Sequence, residues 1–255
     1  MLLLVVVAHP DDESFGCGSL LASASALGYT TAVLCATRGE AGESRIVTGD
    51  LAALREQELH EASRILGVGM VRLLDHADSG MTGDPGPGTL ADADPASLVA
   101  EVRSVIDELR PDVVVTLDAS DGHRDHAAMR DATLAAVDSA DHRPSATYLW
   151  CLARSSMQRW ATHLAGGSQA EAYAAMGELG TPDDEITTRL DVAAHLPTRW
   201  AAIRAHASQA SPYDELPEDL QFEFLATDRL RLVAGTDQLA GWLPSKLGDQ
   251  VSSAS

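Results

Sequence analysis

The sequence predicts an α/β protein with a mainly parallel sheet. Two observations lead to this prediction: short apolar runs alternate with helical segments as far as residue 152, and Gly, Pro or polar residues separate consecutive segments. Apolar runs such as Leu2–Val7 are typical of strands buried on both faces of a sheet. Alternation of such strands with helices is typical of βαβ units with right-handed crossovers.

The individual elements follow from this alternation. The first strand is Leu2–Ala8, and the Ala-, Leu- and Ser-rich helix after it is Gly16–Leu27. The other strand candidates are Thr30–Ala36, Met70–Leu74, Val113–Leu117 and Ser145–Leu152. The other helix candidates are Leu51–Leu66, Pro95–Leu109 and His126–Ala140. Ser79–Asp94 is rich in Gly, Pro, Asp and Thr, and its length is that of a functional loop rather than a linker.

The pattern weakens after residue 155. Met157–Met176 and Val192–Ser208 are helix candidates, and Gln221–Ala234 is expected to hold one or two strands. We predict a single domain over residues 1–255, with a core at 1–155, a C-terminal cover at 156–244 and a frayed polar tail at 245–255.

Composition excludes some partners. The 255 residues include 38 acidic and 18 basic side chains, for a formal net charge of −20, and hold no Lys/Arg-rich stretch. Nucleic acid and anionic membranes are therefore poor partners, and we expect a small molecule. Leu2–Val7 is too short to span a bilayer and lacks a preceding basic region, and three dispersed cysteines suit a reducing compartment. The prediction is a cytoplasmic protein, with homo-oligomerisation left open.

Two polar clusters each follow a predicted buried strand. His9-Pro10-Asp11-Asp12-Glu13 comes after the first strand, and Asp121-Gly122-His123-Arg124-Asp125-His126 comes after Val113–Leu117. Ligands bind at the carboxyl ends of strands in parallel α/β sheets. A single cluster of this kind is more often an ordinary turn, in which Asp11 or Asp12 caps the following helix. Two clusters at two strand ends instead favour a functional site.

The residue types in these clusters match the needs of a hydrolytic zinc site. Such a site has about three protein ligands and an open position for water, and a free carboxylate nearby acts as a base. An imidazole can then stabilise the oxyanion or protonate the leaving amine. The predicted roles are metal ligands for His9, Asp12 and His126, base for Asp11, acid for His123 and tuning of a neighbouring imidazole for Asp125.

The ordered set of motifs resembles the PIG-L/LmbE family of metal-dependent sugar de-N-acetylases, and in particular its bacterial mycothiol-pathway deacetylase/amidase branch. The resemblance extends over residues 2–210. The motifs that carry it are Ala8–Glu13, Thr37–Gly42, Arg55 with Glu58, Asp78–Met81, His123–His126, Asp184–Thr188 and Ala205–Gln209. It implies a Rossmann-like three-layer α/β/α fold, called LmbE-like, with the metal at the carboxyl edge of the sheet. It also implies the same ligands and base, with His123 polarising the amide oxygen and Asp125 tuning His123.

Three residues are expected to contact substrate. Arg55 and Asp78 match positions where related bacterial enzymes contact the sugar conjugate. Arg124 stands where many members have Pro, and it would add a positive contact for an anionic substrate group. A simpler alternative for Arg55 is a surface ion pair with Glu58 at i,i+3 spacing on a helix.

The predicted function is a zinc-dependent hydrolase that removes the N-acetyl group from an N-acetylglucosamine-type sugar conjugate. The same ligands also accept iron(II) or another divalent metal. One alternative on the same metal centre is an amidase or deacylase of a thiol conjugate or a glycosylated natural product. Another alternative, from a different class, is a non-catalytic sugar- or nucleotide-binding module.

Overall fold

A seven-stranded sheet forms the centre of the fold, in the order β3-β2-β1-β4-β5-β7-β6. The coordinates are a computed structural model that describes residues 1–46, 49–164 and 179–239. The strands are β1 (Leu2–Val7), β2 (Thr30–Cys35), β3 (Met70–Leu73), β4 (Val113–Leu117), β5 (Ala146–Trp150), β6 (Thr188–Asp191) and β7 (Thr227–Gly235). The first five strands pair in parallel, and β7 pairs antiparallel with both β5 and β6.

Helices cover both faces of the sheet. They are α1 (Asp12–Phe15), α2 (Gly18–Ala26), α3 (Leu51–Leu66), α4 (Pro95–Leu109), α5 (Arg124–Ser139), α6 (Arg154–Leu164), α7 (Leu196–Ala205) and α8 (Glu218–Leu225). Leu3, Val5 and Val7 of β1 pack with α2, α3 and α7, whereas Leu4 and Val6 pack with α4 and α5. This alternation of buried side chains confirms the three-layer α/β/α fold predicted from the apolar strands.

The order in which the chain adds strands to the sheet reverses beside β1. Val5 of this central strand is in register with Val33 of β2 on one side and with Val115 of β4 on the other. The sheet grows outward from β1 to β3 and then restarts on the opposite side at β4, so β1 and β4 flank a topological switch point. In open α/β sheets the crevice outside such strand ends binds ligands. Both polar clusters lie there.

The C-terminal third departs from prediction in two places. Gln221–Ala234 was expected to be strand, but its first residues belong to α8, and only Thr227 onward forms β7. Strand β6 was not predicted, because four residues are too few to show a pattern. The helix expected at Met157–Met176 begins at Arg154 and is described as far as Leu164. Residues 165–176 of the predicted segment and the predicted tail at 245–255 lie outside the described residues. No helix in the described ranges is long and apolar enough to cross a membrane.

A buried arginine joins this third to the first polar cluster. Arg199 of α7 and Asp228 of β7 are both fully buried and form an ion pair of 3.0 Å. The Arg199 guanidinium also donates to the carbonyl oxygens of Ser14, Phe15 and Gly16, which lie just after the His-Pro-Asp-Asp-Glu segment. The guanidinium therefore satisfies carbonyls at the end of α1 that would otherwise lack partners, and it fixes the cluster to the sheet.

Candidate active site

The ends of β1 and β4 bring together the three predicted metal ligands. The His126 Nε2 atom lies 3.3 Å from Asp12 Oδ1, and the His9 Nδ1 atom lies 3.6 Å from Asp12 Oδ2. All three side chains are largely buried, and Asp12 Oδ2 also accepts the backbone N–H groups of Ala8 and His9. Asp12 is thereby held in place from the backbone side, with Oδ1 turned toward His126.

A carboxylate sets the orientation of His126. Its Nδ1 atom lies 2.6 Å from Asp121 Oδ2, and because a carboxylate only accepts, Nδ1 carries the proton. The Nε2 atom then faces Asp12, and once it gives up its proton it offers a lone pair there, as in a metal-ligating histidine backed by a carboxylate. Sequence reasoning placed Asp121 in the cluster but gave it no role. Its spacing of five residues before a ligand at a helix start was the available signal.

Two carboxylates orient His9 in the same way. The His9 Nε2 atom lies 3.1 Å from Asp125 Oδ2 and 3.4 Å from Asp78 Oδ1, which leaves Nδ1 facing Asp12. Burial disfavours the charged imidazole, but these carboxylates and Asp12 raise the pKa of His9 well above its usual value. Asp125 was expected to tune His123: its carboxylate contacts His9, its backbone N–H donates to His123 Nδ1, and its charge acts to raise the pKa of His123.

His123 differs from the other two histidines. It caps α5, where its Nδ1 atom accepts the backbone N–H of Asp125 at 3.2 Å. In the neutral ring the proton therefore lies on Nε2, so His123 presents a donor rather than a lone pair at that atom. Burial, reinforced by the nearby His9 and His126, lowers the pKa of His123 to about 4. A neutral N–H donor suits the stabilisation of an oxyanion.

The predicted base, Asp11, has an unusual backbone. Its φ of 113° lies in the region that L residues rarely adopt, and such strain concentrates at functional sites. Asp11 occupies the N-cap position of α1 but makes no side-chain capping bond, so the simple capping alternative is wrong for this residue. Its carboxylate instead accepts from Arg55 Nη2 at 2.9 Å. Burial raises the pKa of Asp11 to about 6, against the lowering effect of Arg55.

Arg55 supports Asp11 from α3. It is 3% exposed, and it also donates to the carbonyl oxygens of Pro10 and Gly39. A Cβ atom at Gly39 would lie 2.4 Å from the Arg55 guanidinium, so this position requires glycine. The alternative of a surface pair with Glu58 is wrong, because Glu58 is also buried and accepts the backbone N–H and hydroxyl of Ser208.

A second buried pair holds Asp11 from the other side. Glu13 Oε2 accepts the backbone N–H of Asp11 at 3.0 Å, while Glu13 Oε1 lies 2.7 Å from His206 Nε2. The side chains of Glu13 and His206 are fully buried. His206 belongs to the Ala205–Gln209 motif, and its contact with Glu13 across 193 residues leaves no local signal in the sequence.

Of the other two predicted substrate contacts, the Asp78 side chain is buried against His9, and Arg124 lies closer to solvent. Asp78 Oδ1 accepts the backbone N–H of Gly80 at 2.8 Å, and burial opposed by His9 leaves the pKa of Asp78 well below its usual value. Arg124 is half-buried and donates to the carbonyl oxygen of Gly83 at 2.8 Å. Both side chains are thus fixed to the Ser79–Asp94 loop region, and Arg55 lies beneath Asp11 rather than at the rim.

The donor set fits a divalent metal ion. One nitrogen from each of His9, His123 and His126 lies within 4.8 Å of the others, and Asp12 contacts His9 and His126. Neutral imidazoles and a carboxylate suit zinc, iron(II) or cobalt, and each ligating ring is backed by a carboxylate. Because the His123 proton lies on Nε2, the set His9, Asp12 and His126 fits better than the set of three histidines.

A cavity of about 290 Å³ opens beside this cluster. Asp12, His123 and His126 are among its lining residues. The other lining residues are mostly apolar and include Phe15, Trp150, Leu152, Met157, Trp160 and Phe224. The predicted metal ligands Asp12 and His126 therefore border a cavity with a mostly apolar lining.

Comparison with known proteins places this site in a family. Residues 4–137, which contain both clusters, match the model of the family described as PIG-L, GlcNAc-PI de-N-acetylase. The chain belongs to the PIG-L family. A relative in Geodermatophilus obscurus, named 1D-myo-inositol 2-acetamido-2-deoxy-alpha-D-glucopyranoside deacetylase, is 33% identical, and the alignment covers 94% of this chain and 95% of the relative.

Solved structures agree with the PIG-L fold. The conserved protein TT1542 from Thermus thermophilus has a TM-score of 0.59 and 25% identity, and the match covers 93% of this chain and 96% of TT1542. A 4-carboxy-2-hydroxymuconate hydratase from Pseudomonas putida has a TM-score of 0.63 at 18% identity, over 93% and 98% of the two chains. Since a hydratase shares the fold, the reaction of this PIG-L member has to be argued from its site.

Proposed function

We propose that this PIG-L family member is a metal-dependent hydrolase that removes the N-acetyl group from an N-acetylglucosamine-type sugar conjugate. The observation that carries the proposal is the Asp11 carboxylate, held on a strained backbone beside the His9, Asp12 and His126 cluster at the switch point of the sheet. A module that only binds sugar does not require a buried carboxylate with a pKa of about 6. A general base that acts near neutral pH does require such a carboxylate.

We further propose zinc as the metal, held by His9 Nδ1, an Asp12 carboxylate oxygen and His126 Nε2. When bound there, it supplies Lewis-acid polarisation of the amide carbonyl and lowers the pKa of water toward ~7. The Asp121 carboxylate keeps the His126 proton on Nδ1, and the Asp125 carboxylate keeps the His9 proton on Nε2. Both rings are therefore held with a lone pair toward the centre of the cluster.

The side chains divide the proton transfers between them. Asp11 accepts a proton from the attacking water, and the Nε2–H of His123 donates a hydrogen bond to the oxygen that becomes negative. The water oxygen forms the new bond to the acetyl carbonyl carbon, the C–N bond breaks, and the nitrogen takes the proton that Asp11 accepted from water and leaves as the amine. Acetate and a free amino sugar result. Because Arg55 and Glu13 fix Asp11, the base is in position before substrate binds.

The named relatives suggest the substrate class. The curated relative acts on a small inositol glycoside of N-acetylglucosamine, as its name states. We propose a small amino-sugar conjugate here as well, with Arg124 at the rim beside an anionic or polyhydroxylated portion. The cytoplasmic location stays a prediction from the cysteines.

Acetate release tests the proposal. The zinc-loaded and the chelated protein are compared on 1D-myo-inositol 2-acetamido-2-deoxy-alpha-D-glucopyranoside and on methyl N-acetylglucosaminide. We expect acetate from the zinc-loaded protein and none after chelation. Bound zinc without hydrolysis of either amide would contradict the proposed reaction. Failure to bind metal would favour the binding-module alternative and would remove the ligand assignment.

A further inference from the structure

The proposed base is held from two separate parts of the chain. Arg55 of α3 donates to the Asp11 carboxylate at 2.9 Å, and Glu13 Oε2 accepts the backbone N–H of Asp11 at 3.0 Å. Glu13 is in turn held by His206, just after α7, whose Nε2 atom lies 2.7 Å from Glu13 Oε1. A strained backbone such as that of Asp11 persists only where its surroundings over-determine it. The orientation of Asp11 therefore depends on how α3 is placed relative to the residues after α7.

A buried carboxylate that the proposed reaction does not use connects these two supports. Glu58 lies three residues after Arg55, on the same side of α3. Its Oε1 atom accepts the backbone N–H of Ser208 at 2.8 Å, and its Oε2 atom accepts the Ser208 hydroxyl at 2.6 Å. Ser208 follows His206 by two residues, and both are buried. This pair of hydrogen bonds, the Glu58–Ser208 clip, joins the helix that carries Arg55 to the turn that carries His206.

Local hydrogen bonds make the turn at 206–209 rigid. The backbone N–H of Gln209 donates to the His206 carbonyl oxygen at 3.0 Å, and the Gln209 side-chain amide donates to the Ser208 hydroxyl at 2.9 Å. The Ser208 carbonyl oxygen also accepts the backbone N–H of Arg45 at 2.8 Å. A shift of Ser208 would therefore move His206 with it.

Apolar contacts already hold the two helices together. Leu59 and Ala62 of α3 and Ala202 of α7 belong to one buried apolar cluster, and apolar burial stabilises without setting a direction. A buried carboxylate costs free energy unless it is hydrogen-bonded, and an apolar pair of the same shape can be equally stable. Hydrogen bonds to both carboxylate oxygens instead fix a distance and an angle. The chemistry of Glu58 therefore suits positioning more than cohesion.

We propose that Glu58 and Ser208 are positioning residues for the reaction. Their clip fixes the separation of the two supports, Arg55 and His206, and thereby the orientation of Asp11. The inference rests on the proposed function, in which Asp11 takes a proton from water. A misplacement of about 1 Å can reduce a rate on the order of 10²-fold. Loss of the clip therefore acts on kcat, with little effect on substrate affinity or bound zinc.

The kinetics of paired variants test this role. Glu58→Ala removes both bonds of the clip and Ser208→Ala removes one, whereas Glu58→Gln keeps an acceptor for the N–H and supplies a donor to the hydroxyl. On 1D-myo-inositol 2-acetamido-2-deoxy-alpha-D-glucopyranoside, we expect kcat of the zinc-loaded protein to fall at least tenfold in Glu58→Ala and at least threefold in Ser208→Ala. KM should stay within threefold, zinc should stay stoichiometric, and Glu58→Gln should recover most of kcat.

An exposed glutamate on the same helix provides the matched control. Glu61→Ala should leave kcat and KM unchanged, because its carboxylate pairs only with exposed Arg64 among the described ion pairs. Equal losses of kcat in Glu58→Ala and Glu58→Gln would overturn the inference, and so would an effect on KM alone. Ser208→Ala, which deletes a single hydroxyl, decides the question if Glu58→Ala does not fold.

Hydrogen exchange separates this inference from the proposed function, because it needs no turnover. Mass spectrometry compares the peptide over residues 8–17, which contains Asp11, with the peptide over β4 in the same protein. We expect exchange in the 8–17 peptide alone to become at least tenfold faster in Glu58→Ala, with Glu58→Gln close to wild type. If no amide is hydrolysed, this pattern would support the clip and contradict the proposed reaction. Unchanged exchange, or equal acceleration in both peptides, would overturn the positioning role.

Discussion

At the residue scale, the base and its partners determine the pH dependence of the proposed reaction. Asp11 must be deprotonated to accept a proton, and burial raises its pKa to about 6. We expect kcat/KM to be constant above that value and to fall about tenfold per pH unit below it. Arg55 holds the pKa down, so Arg55→Gln should move the midpoint upward. A midpoint near 4 in the pH profile of the wild type would contradict this assignment.

Removal of the carboxylate should separate the reaction from metal binding. Asp11→Asn keeps the size of the side chain but cannot accept the proton, and general bases contribute typically about 10²- to 10⁴-fold. We expect kcat to fall by about that factor while bound zinc, measured by elemental analysis, stays stoichiometric. Asp131→Asn, at an exposed position of α5, is the matched control and should leave both unchanged. Loss of zinc from Asp11→Asn would assign Asp11 to the metal instead.

The two histidines of the second cluster should respond differently. The Nε2 atom of His126 faces Asp12, whereas the Nδ1 atom of His123 is engaged by a backbone N–H. We expect His126→Ala to lose zinc and His123→Ala to retain it with kcat reduced about 10²- to 10³-fold. Zinc content measured beside acetate release distinguishes the two. Loss of zinc from His123→Ala would favour the set of three histidines as ligands.

At the scale of elements, the catalytic segment is held by helices far away in sequence. His206, just after α7, contacts Glu13, and Glu13 accepts the backbone N–H of strained Asp11. We expect His206→Ala to lower kcat at least tenfold with KM changed less than threefold, and His206→Gln to restore part of kcat, because glutamine keeps a donor. His60→Ala, at an exposed position of α3, is the control. Equal changes in kcat and KM would indicate a merely structural role.

The sequence predicted the elements that carry strong local patterns. The bounds of α3, α4 and β4 agree with prediction, because apolar runs, an N-terminal Asp cap and a following Gly67 or Pro111 mark them. The β6 strand and the α8 helix were not recognised, because short segments hold too few residues to distinguish a period of about 2 from one of about 3.6. Tertiary pairing with β7, rather than local preference, fixes β6.

The composition of the candidate site could be predicted, but its internal contacts could not. Strand ends and residue types identify His9, Asp12 and His126 as neighbours. The angle at which α3 and α5 approach the sheet determines two contacts that the sequence does not reveal. Asp125 contacts His9, and Arg55 is buried under Asp11. Hydrogen bonds between residues 44 to 193 positions apart have no signature in one sequence.

At the scale of the whole molecule, the metal site joins the two halves of the sheet. His9 and Asp12 follow β1, His126 lies on α5 after β4, and the two segments meet at the switch point. A bound ion would cross-link the two segments in the folded state alone. A free metal concentration about 1,000 times Kd raises the free energy of unfolding by ~4.1 kcal/mol. For a chain of this size that corresponds to a rise in Tm of roughly 8–16 °C.

Thermal unfolding of the zinc-loaded and the chelated protein measures this link. Protons compete with the metal for His126. Against the effect of burial, Asp12 and Asp121 raise the pKa of His126 to about 10, so the metal must displace a proton from this ring. The increase in Tm on zinc addition should therefore grow as pH rises from about 6 to about 8, and it should vanish in His126→Ala. An increase that is independent of pH and survives in His126→Ala would place the ion elsewhere on the acidic surface. In that case the switch point would not be the metal site, and the assignment of His9, Asp12 and His126 as ligands would be wrong.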